Sequence, residues 1–311
     1  MFGPAFKAFF TALAGSRPLQ SLASRYGMRR PGSFARRFIA GETVEEAIAA
    51  ARAVEATGLT QTLDYLGESV ASMAEADVAT RSYLGVIEAI AAAGIGRNIS
   101  LKLTQLGLTV DRATSVDNLR RVLDAAATHD FFVRVDMEGS PFTAVTLDIL
   151  ETMQQQGYRN VGAVLQSYLR RSVDDTRRLN ALGMRVRLVK GAYQEPKAVA
   201  YQAKAEVDAA FVEMMHLLLA EGTYPAIATH DPAMIAATRA FATRHGVAND
   251  RWEFQMLYGI RRDLQAALVA QGYRVRVYIP FGKEWFPYFM RRLGERPANI
   301  GFVLGSLASE G

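Results

Sequence analysis

The chain has 311 residues and a formal net charge of +5, half of its residues are apolar, and it contains no cysteine. This composition excludes a disordered or collagen-like chain, and the lack of cysteine excludes disulfides, thiolate metal sites and iron–sulfur clusters. No apolar stretch approaches the roughly eighteen residues that a membrane-spanning helix needs.

The positive charge is concentrated at the N-terminus. Residues 1–41 contain seven Lys and Arg and no acidic residue, which leaves 29 basic against 31 acidic side chains in residues 42–311. We therefore expect a basic N-terminal helical arm over 1–41 and a catalytic body over 42–311. The arm is compatible with three interpretations: short helices packed on the body, an amphipathic helix on anionic lipid, and a cleaved transit peptide. The nearly neutral body argues against a nucleic-acid partner.

Helical periodicity and extended apolar runs alternate along the body. The predicted helices are Thr43–Thr57, Ser72–Ala93, Ser115–Thr128, Thr143–Gln156, Val173–Leu182, Lys197–Ala220, Ala233–His245, Arg261–Gln271 and Glu284–Leu293. The predicted strands are Leu59–Leu66, Ile99–Leu106, Phe131–Met137, Val161–Gln166, Val186–Lys190, Tyr224–Thr229, Trp252–Leu257 and Val275–Ile279. Eight strands, each followed by a helix, predict an α/β fold of the (β/α)8 TIM-barrel type. The alternative is an open doubly wound sheet, but the sequence lacks the Gly-rich fingerprint typical of that fold.

Every predicted strand has polar side chains at or near its carboxyl end. In a barrel of this kind, the carboxyl ends of the strands carry the chemistry. These ends hold Asp64, Glu68, Lys102, Asp136, Glu138, Gln166, Arg187, Lys190, Thr229, His230, Asp231, Gln255 and Tyr278. Each residue alone is equally compatible with a solvated loop, but the complete set predicts a functional rim.

Arg291 and Arg292 lie in a stretch rich in aromatic residues near the C-terminus. Guanidinium groups beside aromatic walls suit a small carboxylate with an apolar body, and an aromatic-anchored terminal helix is the alternative. The histidines lack metal-ligand spacing and no nucleophile elbow is present, which argues against metal and serine hydrolysis. Two competing hypotheses for the function are a Schiff-base aldolase that uses Lys102 or Lys190, and a basic module that binds lipid or nucleic acid.

Nine short strings occur in order along the body. They are Leu63-Asp-Tyr-Leu-Gly-Glu68, Ser100-Leu-Lys102, Val135-Asp136, Gln166-Ser-Tyr-Leu-Arg-Arg171, Arg187-Leu-Val-Lys-Gly-Ala-Tyr193, Ala228-Thr-His230, Phe254-Gln-Met-Leu257, Tyr278-Ile-Pro-Phe-Gly282 and Tyr288-Phe-Met-Arg-Arg292. Together these strings resemble the proline dehydrogenase family, over about residues 60–300. The family's fold is a flavin-binding (β/α)8 barrel, and the length of the chain resembles the monofunctional form.

The resemblance implies oxidation of L-proline to Δ1-pyrroline-5-carboxylate, the first step of proline degradation to glutamate. In this reaction FAD takes a hydride from proline C5 at flavin N5, and a quinone accepts the electrons. From the quinone acceptor and the basic arm, we also expect a cytoplasmic enzyme with peripheral contact to the inner face of the membrane.

Roles for individual residues follow from the same resemblance. It assigns Asp136 and Arg187 to catalysis and Glu68 to a gate over the site. Substrate binding falls to Lys102, Leu257, Tyr278, Tyr288, Arg291 and Arg292. FAD binding falls to Met137, Gln166, Arg187, Val189, Lys190, Gly191, Ala192, Thr229, His230, Gln255 and Glu295. One departure from the family is the pair Gln194 and Glu195, where some relatives have a large aromatic residue.

Overall fold

The computed structural model describes Met28, residues 33–67 and residues 69–295. Eight parallel strands pair in sequence order, and the last strand pairs with the first, so the sheet closes into a barrel. The strands are β1 (Thr60–Tyr65), β2 (Asn98–Leu101), β3 (Phe132–Val135), β4 (Val161–Gln166), β5 (Arg185–Val189), β6 (Ala226–Ala228), β7 (Glu253–Leu257) and β8 (Val275–Phe281). The predicted (β/α)8 fold is confirmed, and the open doubly wound sheet is wrong.

Helices alternate with the strands around the barrel. They are α1 (Val44–Glu55), α2 (Met73–Ala93), α3 (Arg112–Thr128), α4 (Ser140–Gln155), α5 (Ser172–Ala181), α6 (Lys204–Glu221), α7 (Pro232–Arg244), α8 (Arg262–Ala270) and α9 (Trp285–Glu295). Local chemistry sets several of the boundaries. The Thr43 hydroxyl accepts from the Glu46 amide to begin α1, and α2 ends at Gly94, whose φ of 68° is left-handed.

Two predicted boundaries are wrong because local hydrogen bonds compete with the sequence pattern. The second strand ends at Leu101, since Leu106 and Leu108 both donate to the Leu103 carbonyl and turn the chain. Helix α6 begins at Lys204 and not at Lys197. Residues 199–201 instead pair antiparallel with residues 168–170, where the Tyr201 amide donates to the Tyr168 carbonyl at 2.8 Å.

The end of the barrel where the strands begin is filled by charged side chains. Arg276 donates from Nε and Nη2 to the two carboxylate oxygens of Glu253 at 2.7 and 3.0 Å, and both residues lie inside the barrel. Arg134 donates to the Ala163 and Arg185 carbonyls beside them. A side chain at Gly162 would collide with the Arg134 guanidinium, so glycine at this position makes room for it.

The short helical turn Phe34–Arg37 and the residues after it pack against α9. Met28, Ala35, Phe38 and Ile39 form one buried cluster with Trp285, Phe286, Tyr288 and Met290. The Trp285 indole donates to Glu42 at 3.0 Å. The predictions about residues 1–27 fall outside the described residues. Within the described part, no helix is both long and apolar enough to span a bilayer.

Candidate active site

A cavity of about 570 Å³ opens at the carboxyl ends of the strands. The residues that line it are Lys102, Asp136, Met137, Val164, Gln166, Arg187, Val189, Lys190, Gly191, Ala192, Tyr193, Ala228, Thr229, His230, Asp231, Pro232, Gln255, Met256, Leu257, Arg261, Tyr278, Tyr288, Arg291 and Arg292. The structure therefore brings together almost all of the residues predicted for the site. Glu68 and the Glu295 side chain are outside the described residues.

An ion pair between β5 and the end of β3 forms part of the cavity wall. Arg187 Nη1 donates to Asp136 Oδ1 at 2.6 Å, and the Tyr278 hydroxyl donates to Asp136 Oδ2 at 2.8 Å. Arg187 Nη2 also donates to Ser100 at 3.0 Å, and its guanidinium lies 5.3 Å from the centre of the Tyr278 ring. Burial and the neighbouring Asp136 raise the pKa of Tyr278 well above its usual value. Asp136 thus holds a cation and a protonated phenol in fixed positions.

Lys102 is the cation at the end of β2, and its ammonium nitrogen lies 3.7 Å from Asp64 Oδ2. Asp64 is fully buried, and among the described residues nothing donates a hydrogen bond to either of its carboxylate oxygens. Burial raises the pKa of Asp64, although Lys102 acts in the opposite direction. Lys102 is therefore a cation of the cavity wall with a buried carboxyl group beside it.

Helix α9 brings Tyr288, Arg291 and Arg292 to the same cavity, and the Arg292 guanidinium lies 5.1 Å from the centre of the Tyr288 ring. On the facing side, Leu257 ends β7, and its amide donates to His230 Nε2 at 2.9 Å. This bond fixes the Leu257 backbone to the loop after β6. The cavity therefore has cations and apolar walls side by side, as the aromatic stretch predicts.

The strand ends of β4, β5 and β7 supply buried polar atoms. Within the described chain, no group bonds to Gln166 Oε1, Gln255 Oε1 or Arg187 Nε. Buried polar groups in native proteins are nearly always hydrogen-bonded, so these three atoms are candidates for contact with a polar ligand. Gly191 follows β5 with a φ of 114°, and a side chain there would overlap the Tyr168 ring. Glycine at this position lets the backbone after β5 pass close to the Tyr168 ring.

Lys190 lies in the wall, and its ammonium group is engaged by two carboxylates. It donates to Asp208 at 2.5 Å and to Asp231 at 2.7 Å, and Lys204 pairs with the same two residues. The hydrogen bond from Lys190 lowers the pKa of Asp231 to about 2. An ammonium that donates to two carboxylates differs from the free, desolvated amine that a Schiff-base aldolase requires.

Several lining residues are missing from the sequence-based set. Val164 points inward two positions before Gln166, as strand alternation predicts, and Tyr193 ends the string that begins at Arg187. Glu138, by contrast, is predicted at the rim but is not a lining residue. Its carboxylate accepts from the Thr104 hydroxyl at 2.6 Å and from the Thr104 amide, so it supports the loop after β2. Among the described residues, no group of three His, Asp or Glu side chains is placed to hold a metal ion.

Comparisons with known proteins identify the family of the chain. Residues 47–304 match the sequence profile of the family described as proline dehydrogenase. The chain is 41% identical over 295 residues to proline dehydrogenase 1 of Bacillus subtilis, which covers 95% of this chain and 96% of that protein. It is 43% identical over 276 residues to proline dehydrogenase of Deinococcus radiodurans, with 88% and 89% covered.

A solved structure also resembles the chain. Proline utilization A from Bdellovibrio bacteriovorus, inactivated by N-propargylglycine, superposes with a TM-score of 0.80 at 26% identity. The match covers 93% of this chain but 36% of that larger protein.

Proposed function

The chain belongs to the proline dehydrogenase family and is an oxidoreductase of proline catabolism, and we propose that it oxidises L-proline to Δ1-pyrroline-5-carboxylate with FAD and a quinone. In this proposal C5 of proline loses a hydride, which flavin N5 would accept, and the ring nitrogen loses a proton as the C=N bond forms; the electrons would then pass to the quinone. The observation that carries the proposal is that Lys102, Arg187, Arg291 and Arg292 line one cavity together with apolar and aromatic walls.

Three of these cations suit the carboxylate of proline. Arg291 and Arg292 reach the cavity from α9, and Lys102 reaches it from β2. Guanidinium groups bind carboxylates in a planar, bidentate manner, which provides orientation as well as affinity. A carboxylate held from two sides would place C5, at the far side of the pyrrolidine ring, in a fixed position. Leu257, Tyr278 and Tyr288 would exclude water and longer substrates from around the ring.

The unsatisfied polar atoms of the wall fit FAD. Gln166 Oε1 and Gln255 Oε1 are buried acceptors and Arg187 Nε is a buried donor, each without a partner among the described residues. A carbonyl oxygen of an isoalloxazine ring would accept from Arg187, and the one N–H of the ring would donate to one of the two glutamine oxygens. The residues that would hold FAD are Met137, Gln166, Arg187, Val189, Lys190, Gly191, Ala192, Thr229, His230, Gln255 and Glu295. The chemistry that FAD supplies when bound is the acceptance of a hydride.

Arg187 and Asp136 would act as one unit in this reaction. Arg187 brings positive charge to the wall, which favours the arrival of negative charge there. Asp136 accepts from both Arg187 and Tyr278, so both of its oxygens are already engaged. We therefore assign Asp136 to holding Arg187 and Tyr278 in position. Glu68 keeps its proposed role as the gate over this site.

A turnover assay tests the proposal. The FAD-loaded protein is mixed with a soluble quinone and L-proline, and quinone reduction is followed together with formation of Δ1-pyrroline-5-carboxylate. Pyrrolidine, which lacks the carboxylate, is the matched control and should be oxidised at least about 100-fold less efficiently, because it cannot use the cations. Equal efficiency with pyrrolidine would contradict the carboxylate assignment, and an absence of turnover with proline would contradict the reaction.

Because the electron acceptor in this proposal is a membrane quinone, we also propose a cytoplasmic enzyme with peripheral membrane contact through its basic arm. Residues 1–41 carry seven cations and no acid, which suits an anionic lipid surface. The test is sedimentation with anionic vesicles at low and high salt. Deletion of residues 1–27, which keeps the buried cluster of Met28, Ala35, Phe38 and Ile39, should weaken binding, and unchanged binding without them would contradict the role of the arm.

A further inference from the structure

Glu195 makes a defined contact far from its place in the sequence. Its Oε1 accepts from the Ser140 amide at 2.7 Å, and its Oε2 accepts from the Ser140 hydroxyl. Ser140 is the first residue of α4, which is 55 positions away in the chain. The contact therefore joins the segment after β5 to the helix after β3.

This contact stands in for a helix cap that the local sequence cannot provide. The N-cap position of α4 is Gly139, which has no side chain with which to accept a hydrogen bond. The first amides of a helix need acceptors, and a carboxylate there is also favoured by the helix dipole. Glu195 supplies the acceptor and the negative charge together.

The segment that Glu195 holds is part of the cavity wall. Gly191, Ala192 and Tyr193 line the cavity and directly precede it. On the other side of the contact, Asp136 and Met137 line the same cavity and precede α4. The Gln202 side chain donates to the Glu195 carbonyl at 3.2 Å, so the segment is also fixed beyond this point. Glu195 thus joins two parts of the wall that come from non-adjacent strands.

We propose that Glu195 is a positioning residue that presets the segment 191–193 for the flavin, by tying it to the N-terminus of α4. This inference rests on the proposed FAD dependence of the enzyme. A loop that is already in its bound conformation loses less conformational entropy on binding, and therefore binds more tightly. Loss of the tie should weaken FAD affinity without altering the groups that face proline.

The test compares FAD dissociation constants of the folded apoprotein, measured by quenching of flavin fluorescence. We expect Glu195→Ala to raise this constant about tenfold or more, and Glu195→Gln, which keeps an acceptor but loses the charge, to have a smaller effect. Hydrogen exchange of the amides of residues 191–196 should become faster in Glu195→Ala, in the absence of any flavin. The KM for proline at saturating FAD should change less than twofold.

Asp111→Ala is the matched control. The Asp111 carboxylate caps α3 by accepting from the amide and the hydroxyl of Thr114, both at 2.7 Å, and Asp111 does not line the cavity. Both alanine variants should lower the melting temperature by a few degrees, because each removes a helix cap. Only Glu195→Ala should weaken FAD binding.

The outcomes separate this inference from the proposed function. An unchanged FAD dissociation constant in Glu195→Ala would overturn the positioning role, as would equal weakening in Asp111→Ala. A wild-type protein that does not bind FAD at all would contradict the proposed function itself, whereas faster exchange at residues 191–196 in Glu195→Ala would still support the tie.

Discussion

Two ion pairs between arginine and a carboxylate lie inside the barrel, one toward each end. Where the strands begin, Arg276 makes a bidentate contact with Glu253, and Arg276 also donates to the Gln61 carbonyl at 2.7 Å. Where the strands end, Arg187 makes a single contact with Asp136, whose other oxygen binds Tyr278. In the first pair, both carboxylate oxygens of Glu253 accept hydrogen bonds from Arg276 within the barrel core. The second pair lines the cavity, and its Arg187 Nε has no partner among the described residues.

The difference shows what distinguishes structural from functional charge in this protein. Both pairs are buried, and residue type and burial alone do not separate them. Burial acts to raise the pKa of Glu253, but the contact with Arg276 lowers it below its usual value, as expected for a closed ion pair. The pair at the carboxyl end belongs to the cavity wall, and its Arg187 Nε is a buried donor without a partner among the described residues. We therefore expect damage to the first pair to reduce stability and damage to the second to reduce catalysis.

The largest expected effect is on stability, at the Arg276–Glu253 pair. Glu253→Gln keeps the shape of the side chain but leaves Arg276 as a buried charge without its counter-ion. We expect a loss of about 3–5 kcal/mol in the free energy of unfolding, measured by urea denaturation. Glu213→Gln, at an exposed pair with Arg177, is the control and should cost less than about 1 kcal/mol. Similar losses in both variants would remove the distinction between buried and exposed pairs.

The second prediction concerns the Arg187–Asp136 pair. Arg187→Met should lower kcat/KM for proline about 100- to 1000-fold, because it removes a fixed positive charge from the reaction site. Arg187→Lys should recover part of the loss, since it restores the charge without the forked geometry. Steady-state kinetics on protein shown to be folded by circular dichroism provides the measurement. A kcat/KM in Arg187→Met within tenfold of wild type would contradict the catalytic assignment.

The third prediction concerns the cations of α9. Arg291→Met and Arg292→Met should each raise the KM for proline on the order of 100-fold while flavin stays bound, because each removes a proposed partner of the substrate carboxylate. Arg120→Met is a suitable control. Arg120 belongs to another arginine doublet and pairs with Asp117 on the exposed face of α3. Unchanged kinetics in both α9 variants would remove the carboxylate-binding role from this helix.

The smallest effect concerns Lys190, which lies at the cavity but is ion-paired like Arg276. Its hydrogen bond lowers the pKa of Asp231 to about 2, so the folded state binds the Asp231 proton less readily than the unfolded chain does. Stability from this pair is fully present above about pH 4 and is lost as the pH falls toward 2, by up to about 2 kcal/mol. Lys190→Met should remove that part of the acid dependence, measured by urea unfolding at several pH values. An unchanged pH profile would contradict this role of the pair.

The fold could be predicted from the sequence because each strand and helix carries its own periodicity. Part of the cavity lining could be predicted because it lies at the ends of parallel strands, which meet at the same end of a barrel. Arg291 and Arg292 lie on α9 and could be predicted from the aromatic stretch around them. Long-range pairing could not be predicted in this way. Residues 197–203 have helical composition, but residues 199–201 pair antiparallel with residues 168–170. The contacts of Asp64 with Lys102 and of Glu195 with Ser140 also depend on the closed fold.

We propose that the protein binds FAD in the cavity at the carboxyl ends of the strands and oxidises proline there. The most direct test is the visible absorbance spectrum of protein incubated with FAD, freed of unbound cofactor, and then mixed with L-proline without oxygen. We predict a flavin spectrum that L-proline bleaches. A protein that retains no flavin, or a flavin spectrum that proline leaves unchanged, would contradict the claim.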